Sequence, residues 1–213
     1  MMKKICFYDI FIWIATFFLF VGIFFMPERV PVHWNVNWNV DRYGSRYELL
    51  LISLSPIAIY YGMLLMKKID PRHEKIALRN KTYELMRKGL SFFFVVLACF
   101  FYYIVFHSQT NGTFIMCLLF GILFIGVGNY MPRFPQNYFL GIRTPWTLND
   151  EVNWKITHRI GGYLFLVGGL VIIISAFLSS KVAFIVLMVV IFIVSIGSYM
   201  ISYLFYRKHH NEY

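Results

Sequence analysis

The sequence is poor in charge for its length. Only 14% of its 213 residues are charged and 59% are hydrophobic, whereas a soluble domain of this size is roughly a quarter charged and half apolar. This shortage excludes the class of ordinary soluble domains and indicates an integral membrane protein. The apolar runs are long and lack the alternation of a membrane β-strand, so they predict helices rather than a barrel.

Cysteine is scarce too, and its distribution excludes two kinds of site. Cys6, Cys99 and Cys117 are an odd number of cysteines, and each lies in or beside an apolar run. They have neither the spacing of metal ligands nor the pairing of a disulfide framework, so we interpret them as small core residues. No cofactor is predicted.

Charge is absent altogether from six apolar runs, each about the 17 to 25 residues that cross a bilayer core. Asp, Glu, Lys and Arg are missing from residues 10–26, 49–66, 89–106, 113–131, 160–180 and 182–206. Ionisable groups inside a membrane mark ion and proton pathways. Their absence argues against a pump, a coupled transporter or an intramembrane aspartyl protease.

The order of the runs predicts the architecture. The first run ends in Phe24, Phe25 and Met26 without a small-residue cleavage site, which indicates an uncleaved anchor rather than a signal peptide. Little more than Lys181 separates the last two runs, so they should form a tight hairpin. The predicted fold class is an all-α integral membrane protein with six transmembrane helices, in two halves of three spans each, residues 1–108 and 109–213.

Lysine and arginine are distributed unevenly between the segments that join the runs. If the N-terminus is inside, the inner segments hold 16 of these residues and the outer segments hold 4. Because cytoplasmic segments carry the excess, both termini are predicted in the cytoplasm, residues 27–48 outside and residues 132–159 inside. The basic residues that produce the net charge of +10 flank the apolar runs. We therefore expect them to contact anionic lipids rather than nucleic acid.

The outer segment, residues 27–48, offers a candidate ligand or metal site at His33, Asn35 and Asp41. One histidine and one aspartate fall short of the usual metal set, so metal is not favoured. The alternative is a loop that caps the outer face, with aromatic rings at the level of the headgroups. Those rings are Trp34, Trp38 and Tyr43. An aromatic-rich outer loop would also suit an extracellular partner.

The second inner segment, Lys67 to Lys88, predicts a basic juxtamembrane helix after Asp70-Pro71. It would lie on anionic lipid or dock an acidic cytoplasmic protein. His73-Glu74 begins a zinc-protease pattern, but Ala77 stands where the second histidine is required. A protease is therefore excluded on this pattern.

The last inner segment, residues 132–159, contains the most specific polar pattern. Gly141 permits a turn, Thr147 and Asp150 suggest the cap of a helix of about a dozen residues, and Arg143 could bind an anion or clamp neighbouring spans. Apolar residues on one side of that helix would let it lie along the inner surface. Two glycines, Gly161 and Gly162, follow it and could form a hinge or a tight bend against a neighbouring span.

These residues resemble the signature of the SdpI family of bacterial membrane proteins. The resemblance rests on GIRTPWTL at 141–148, Gly128-Asn129, Trp154, Thr157-His158-Arg159 and Gly161-Gly162. The outer segment resembles a domain of unknown function that is common in the N-terminal half of that family. That second resemblance rests on Pro27, Val30-Pro31, His33, Asn35 and Asp41, and Trp38 stands where the pattern usually has glycine.

The resemblance implies a function that composition and residue spacing alone do not indicate. The family's named member is an immunity protein, which protects the producing cell from a secreted peptide toxin and sequesters a transcriptional repressor at the membrane. We therefore expect a non-enzymatic protein of the bacterial cell membrane with a toxin partner outside and a repressor partner inside. The alternative is a membrane enzyme or lipid-handling protein that acts on headgroup phosphates through Arg143 and His158.

The expected binding residues divide between the two faces. Those of the outer face are His33, Trp34, Asn35 and Asp41. Those of the inner face are Asn129, Asn137, Gly141, Arg143, Thr144, Pro145, Trp146, Thr147, Trp154, His158 and Arg159.

The predicted topology can be tested by cysteine labelling in a variant that lacks the three native cysteines. Val40→Cys should react with an impermeant thiol reagent in intact cells, and Asp150→Cys should react only after permeabilisation. The reverse pattern would exchange the two faces.

Overall fold

A computed structural model describes residues 6–107 and 110–210, and its main elements are helices. In chain order they are α1 (Phe7–Gly22), β1 (Arg29–Trp34), β2 (Val40–Ser45), α2 (Leu50–Ile69), α3 (His73–Leu78), α4 (Asn80–Phe106), α5 (Gly112–Tyr130), α6 (Pro145–Asn149), α7 (Glu151–Ser175) and α8 (Ser180–His210). Within the described ranges, six helices are long and apolar enough to cross a membrane. The predicted all-α membrane fold with six spans is confirmed.

Two of the spanning helices begin long before their apolar runs. α4 starts at Asn80 and α7 at Glu151, although their apolar runs begin at residues 89 and 160. The helical hydrogen bonds continue through polar residues that are unfavourable in the hydrocarbon core, so each helix extends past the membrane core. Residues 176–179 form the turn before α8, and Lys181 therefore lies in the first turn of α8.

The chain forms two compact units. One unit comprises Met1–Leu65 and Arg87–Gly112, and the other comprises Met66–Met86 and Thr113–Tyr213. The first holds α1, the β-hairpin and most of α2 and α4, and the second holds α3 and α5 to α8. The segment between α2 and α4 thus groups with the second unit, while the division into halves at residue 108 remains a prediction.

Tyrosine hydroxyls tie together the helices of the first unit. The Tyr102 hydroxyl on α4 donates to the Leu19 carbonyl on α1 at 2.5 Å and lies 2.8 Å from Ser53 Oγ on α2. At the other end of the bundle, the Tyr8 hydroxyl donates to the Lys88 carbonyl at 2.6 Å. Each bond satisfies a polar group that an apolar bundle would otherwise leave without a partner.

The segment after α1 folds as an antiparallel hairpin, in which Arg29 pairs with Ser45 and Trp34 with Val40. Irregularities on either side of His33 bend the first strand. The sequence predicts a loop here, and the pairing of the strands is an addition to that prediction. Val30 anchors the hairpin because its fully buried side chain packs with Ile23, Met26 and Leu49.

Glycines allow α5 and α7 to touch along their backbones. A Cβ atom at Gly121 would lie 2.8 Å from the Gly169 carbonyl oxygen, and one at Gly128 would lie 2.6 Å from the Gly162 carbonyl oxygen. The two contacts are seven residues apart on each helix, so they fall on one face. Small residues allow such close approach of helices, whereas a Cβ at Gly126 would meet no atom of a neighbouring element within 4 Å.

The glycine pair at the start of the fifth span does not break the helix. α7 continues through Gly161 and Gly162 to Ser175. A Cβ at Gly161 would lie 2.5 Å from Ile142 Cδ1, and one at Gly162 would lie 2.7 Å from the Gly128 carbonyl oxygen. The structure therefore favours close packing over a hinge at this junction.

We predict that Gly128→Ala destabilises the second unit, because its new methyl group meets backbone that cannot move aside. The expected loss is about 1–3 kcal/mol, measured by denaturant unfolding in detergent micelles. Gly126→Ala, two residues away, is the matched control and should be neutral or stabilising by up to about 1 kcal/mol. Equal losses at both positions would contradict the proposed contact.

Candidate functional site

The loop of residues 134–150, called the inner loop after its predicted side of the membrane, is folded around the side chain of Asn137. This side chain is 1% exposed and donates from Nδ2 to the carbonyls of Pro135 and Leu140 at 2.9 and 3.2 Å. Its Oδ1 accepts the backbone N–H groups of Phe139 and Leu140 at 2.9 and 2.7 Å. Asn137 thus uses all of its hydrogen-bonding groups to close the turn that precedes Gly141.

A buried carboxylate in the segment before α3 holds the same turn from outside. Asp70 is 1% exposed, and its Oδ2 accepts the Tyr138 N–H at 2.8 Å while its Oδ1 accepts the Arg72 N–H at 2.7 Å. Arg72 in turn donates to the Leu148 carbonyl at 2.8 Å and lies over the Tyr138 ring at 4.8 Å. The segment before α3 and the inner loop therefore form one hydrogen-bonded assembly.

Gly141 lies directly against His158. Gly141 has φ +97°, and a Cβ there would clash with His158 Nε2. This nitrogen accepts the Ile142 N–H at 3.0 Å, while His158 Nδ1 lies 2.8 Å from the Trp154 carbonyl and donates to it. The ring is fully buried and stacks on Trp154. Both ring nitrogens are occupied, so the contacts give neutral His158 a role in fixing the loop.

Thr144 and Thr147 start a short helix, which corrects the predicted cap. The Thr144 hydroxyl accepts the Thr147 N–H at 3.1 Å, and Thr147 Oγ1 accepts the Thr144 N–H at 2.9 Å. Pro145, which is exposed, occupies the first position of α6, where its missing N–H costs no hydrogen bond. Asp150 instead caps α7 and accepts the Val152 N–H at 2.7 Å. The expected pairing of Thr147 with Asp150 is therefore wrong.

The first turns of α7 bury their polar side rather than their apolar side. Asn153 donates to the Ser202 carbonyl of α8 at 2.9 Å, and Thr157 donates to Asn153 Oδ1 at 2.9 Å. Trp154 is 1% exposed and donates to the Phe134 carbonyl at 2.9 Å. Val152, by contrast, is 56% exposed. The expectation of a separate helix along the inner surface is wrong, because these polar groups pair with one another and with the loop.

The exposed residues of the inner loop and its surroundings form its candidate contact surface. Arg143 donates from Nη1 to the Tyr138 carbonyl at 2.7 Å and is otherwise exposed. Arg159, in α7, and Asn129, near the end of α5, are also exposed. Trp146 packs against three tyrosines of α8, at ring-centroid distances of 5.1 to 6.0 Å. They are Tyr199, Tyr203 and Tyr206.

The polar residues of the outer hairpin do not converge on one point. His33 Nδ1 and Asp41 Oδ1 lie 2.6 Å apart and form an exposed pair. Asn35 Oδ1 accepts the N–H groups of Asn37 and Asn39 at 2.9 and 3.0 Å, so this amide shapes the turn. Across residues 6–107 and 110–210, no three His, Cys, Asp or Glu side chains are grouped to hold a metal ion.

The tip of the hairpin is held by stacked tryptophans. Trp34 and Trp38 stack at 5.3 Å with an angle of 16° between their planes. Behind them, Phe101 of α4 lies 5.8 Å from Trp34 and Phe100 lies 6.3 Å from Trp38. Trp38 has φ 63°, a left-handed conformation that favours glycine. This explains why the related pattern usually has glycine there, and the stacking accounts for a tryptophan in its place.

Several residues that build the inner loop were not among the predicted site residues. Asp70, Gln136, Asn153 and Ser202 are all buried and hydrogen-bonded. Polar residues three or four positions apart in a helix share one face, and Asn153 stands at this spacing from Thr157. That spacing was the available signal, whereas nothing local distinguishes Asp70 or Gln136.

Comparison with known proteins agrees with both resemblances. The sequence model of the SdpI/YfhL protein family matches residues 133–202, from the inner loop to the middle of α8. The model of a domain of unknown function (DUF1648) matches residues 10–55, which include the outer hairpin. The protein named "Immunity protein SdpI" from Bacillus subtilis (strain 168) is 27% identical over 184 residues, 86% of each chain. No solved structure matches.

These matches and the six apolar helices identify a multi-pass bacterial membrane protein. The resemblance to the SdpI family is confirmed in both halves of the chain. Of the residues on which that resemblance was based, Gly141 to Gly162 fall within the matched range, whereas Gly128-Asn129 precede it. Which of the predicted binding residues contact a ligand remains a prediction.

We predict that Gly141→Ala destabilises the inner loop by about 1–3 kcal/mol, because a left-handed residue gains a Cβ against His158. Denaturant unfolding in detergent would measure the loss. In the double variant Gly141→Ala with His158→Ala the clash disappears, so its loss should be smaller than the sum of the two single losses. Additive losses would show that the two residues are not in contact.

Proposed function

We propose that this protein is an immunity protein, which protects a bacterial cell from a secreted peptide toxin. The observation that carries the proposal is the 27% identity to "Immunity protein SdpI" across 86% of both chains. Because that alignment spans both halves, it includes membrane helices as well as loops. A shared architecture of this extent supports a shared role more strongly than a match confined to one motif.

We assign the toxin contact to the outer hairpin. Tyr43, in β2, and Tyr47, in the 3-10 turn that directly follows β2, are 57% and 52% exposed. These two residues and Arg46 line part of a cavity of about 550 Å³ at the base of the hairpin. Exposed tyrosines supply large contact area at a low cost in conformational entropy, and they are common at binding hot spots.

A second role, capture of a transcriptional repressor, is assigned to the inner loop with α3. Support comes from the exposed guanidinium of Arg143 and from exposed Arg79, the residue after α3, both on the face predicted to be cytoplasmic. The alternative of headgroup chemistry has less support, because His158 uses both ring nitrogens within the fold. It has no nitrogen left to accept or donate a proton in a reaction.

Expression in a sensitive bacterial host, challenged with a panel of secreted peptide toxins, tests the immunity function. The wild type should raise the inhibitory concentration of at least one toxin, and Tyr43→Ala with Tyr47→Ala should lower that protection about tenfold, as expected for the loss of hot-spot side chains. Tyr163→Ala is the matched control, since Tyr163 is 60% exposed but lies in α7. It should protect like the wild type at equal membrane abundance.

Two results would contradict the proposal. If the wild type protects against no toxin in the panel, the immunity function fails. If the hairpin variant protects fully, the contact lies elsewhere in the protein. The repressor role is tested separately by recovering candidate repressors with membranes of toxin-treated cells, where Arg143→Ala should lower recovery without lowering protection.

A further inference from the structure

A basic cavity of about 370 Å³ lies beside the inner loop, within the second unit. Four cationic residues and one carboxylate line it: Lys75, Arg79, Arg133, Lys155 and Glu151. They come from α3 and the residue after it, from the 3-10 turn that follows α5, and from the first turns of α7. Residues far apart in the chain thus bring like charges together around one concave surface.

The single carboxylate of the cavity neutralises only part of this charge. Glu151 contacts Lys75 at 2.7 Å and Lys155 at 2.9 Å, so it is shared between two lysines. Arg133 lies over the Tyr130 ring at 5.0 Å. No carboxylate in the described part of the chain forms an ion pair with Arg79 or Arg133. The cavity therefore keeps a net positive charge, and such repulsion between like charges is relieved by an anion.

The cavity lies just outside the membrane core. Arg133 is the last residue of the fourth candidate span, and Glu151 and Lys155 lie on the part of α7 that precedes its apolar run at residue 160. Leu78, also in the lining, is 85% exposed, so apolar surface lies directly beside the basic residues. Positive charge beside apolar surface at this depth is complementary to a headgroup phosphate that continues into an acyl chain.

We propose that this cavity binds the phosphate group of an anionic phospholipid. The guanidinium groups of Arg79 and Arg133 would bind the phosphate oxygens, since arginine matches phosphate with two parallel hydrogen bonds. The two lysines would complete the site as weaker point charges. The volume falls in the range of small-ligand pockets, about 300–1,000 Å³, and accepts a headgroup. The site does not depend on the proposed immunity function.

Native mass spectrometry of the detergent-solubilised protein tests the proposal with three probes. Phosphatidylglycerol should remain bound, phosphatidylcholine should be retained less, and inorganic phosphate should not displace the lipid at equal concentration. Arg79→Gln with Arg133→Gln should weaken binding of phosphatidylglycerol at least about tenfold. Lys68→Gln with Lys81→Gln removes the same charge from exposed positions outside the cavity and should leave this binding unchanged.

A variant with the opposite effect separates loss of the site from loss of the fold. Glu151→Gln removes the carboxylate and should strengthen phosphatidylglycerol binding, which a misfolded protein would not do. The proposal is overturned if the arginine variant binds like the wild type, if the lysine control weakens binding equally, or if Glu151→Gln weakens it. Full displacement by inorganic phosphate would identify a site for free phosphate and would also overturn it.

Discussion

In the inner loop, side chains supply the hydrogen-bond partners of backbone groups that no helix or sheet pairs. Residues 134–144 have neither kind of regular structure, yet Phe134, Gln136, Asn137 and Thr144 are buried, and unpaired backbone groups are costly beside buried residues. Asn137, Asp70 and His158 supply the missing partners, and Gln136 donates to the Thr147 carbonyl. The motif on which the resemblance to the SdpI family rests thus serves in large part to fold this loop.

Packing in the second unit depends on the absence of side chains at a few positions. The Gly121–Gly169 and Gly128–Gly162 contacts bring α5 and α7 to backbone distance. Helices in lipid gain little from hydrophobic burial, so close packing takes over the stabilising role. The same approach places the 3-10 turn after α5 beside the first turns of α7, and Trp154 then reaches the Phe134 carbonyl. The packing of α5 against α7 therefore also positions the inner loop.

The sequence was sufficient for the six spans, because each apolar run has the length of a bilayer core. The paired strands of the outer hairpin were harder to predict, since Pro31 and Gly44 are both unfavourable in strands. The loop was harder still. Asn153, Thr157 and His158 look like the solvent side of a surface helix, and only the fold shows that they are buried. Local patterns cannot reveal partners such as Asp70, which lies 68 positions from Tyr138.

Because α7 is unbroken, the inner loop and the fifth span are mechanically coupled. His158 and Trp154 fasten the loop to the first turns of the helix, and the 25 residues of α7 continue to Ser175 without a break. A continuous helix transmits a movement of one end to the other. A tilt or shift of the far end of α7 would therefore move the inner loop as well.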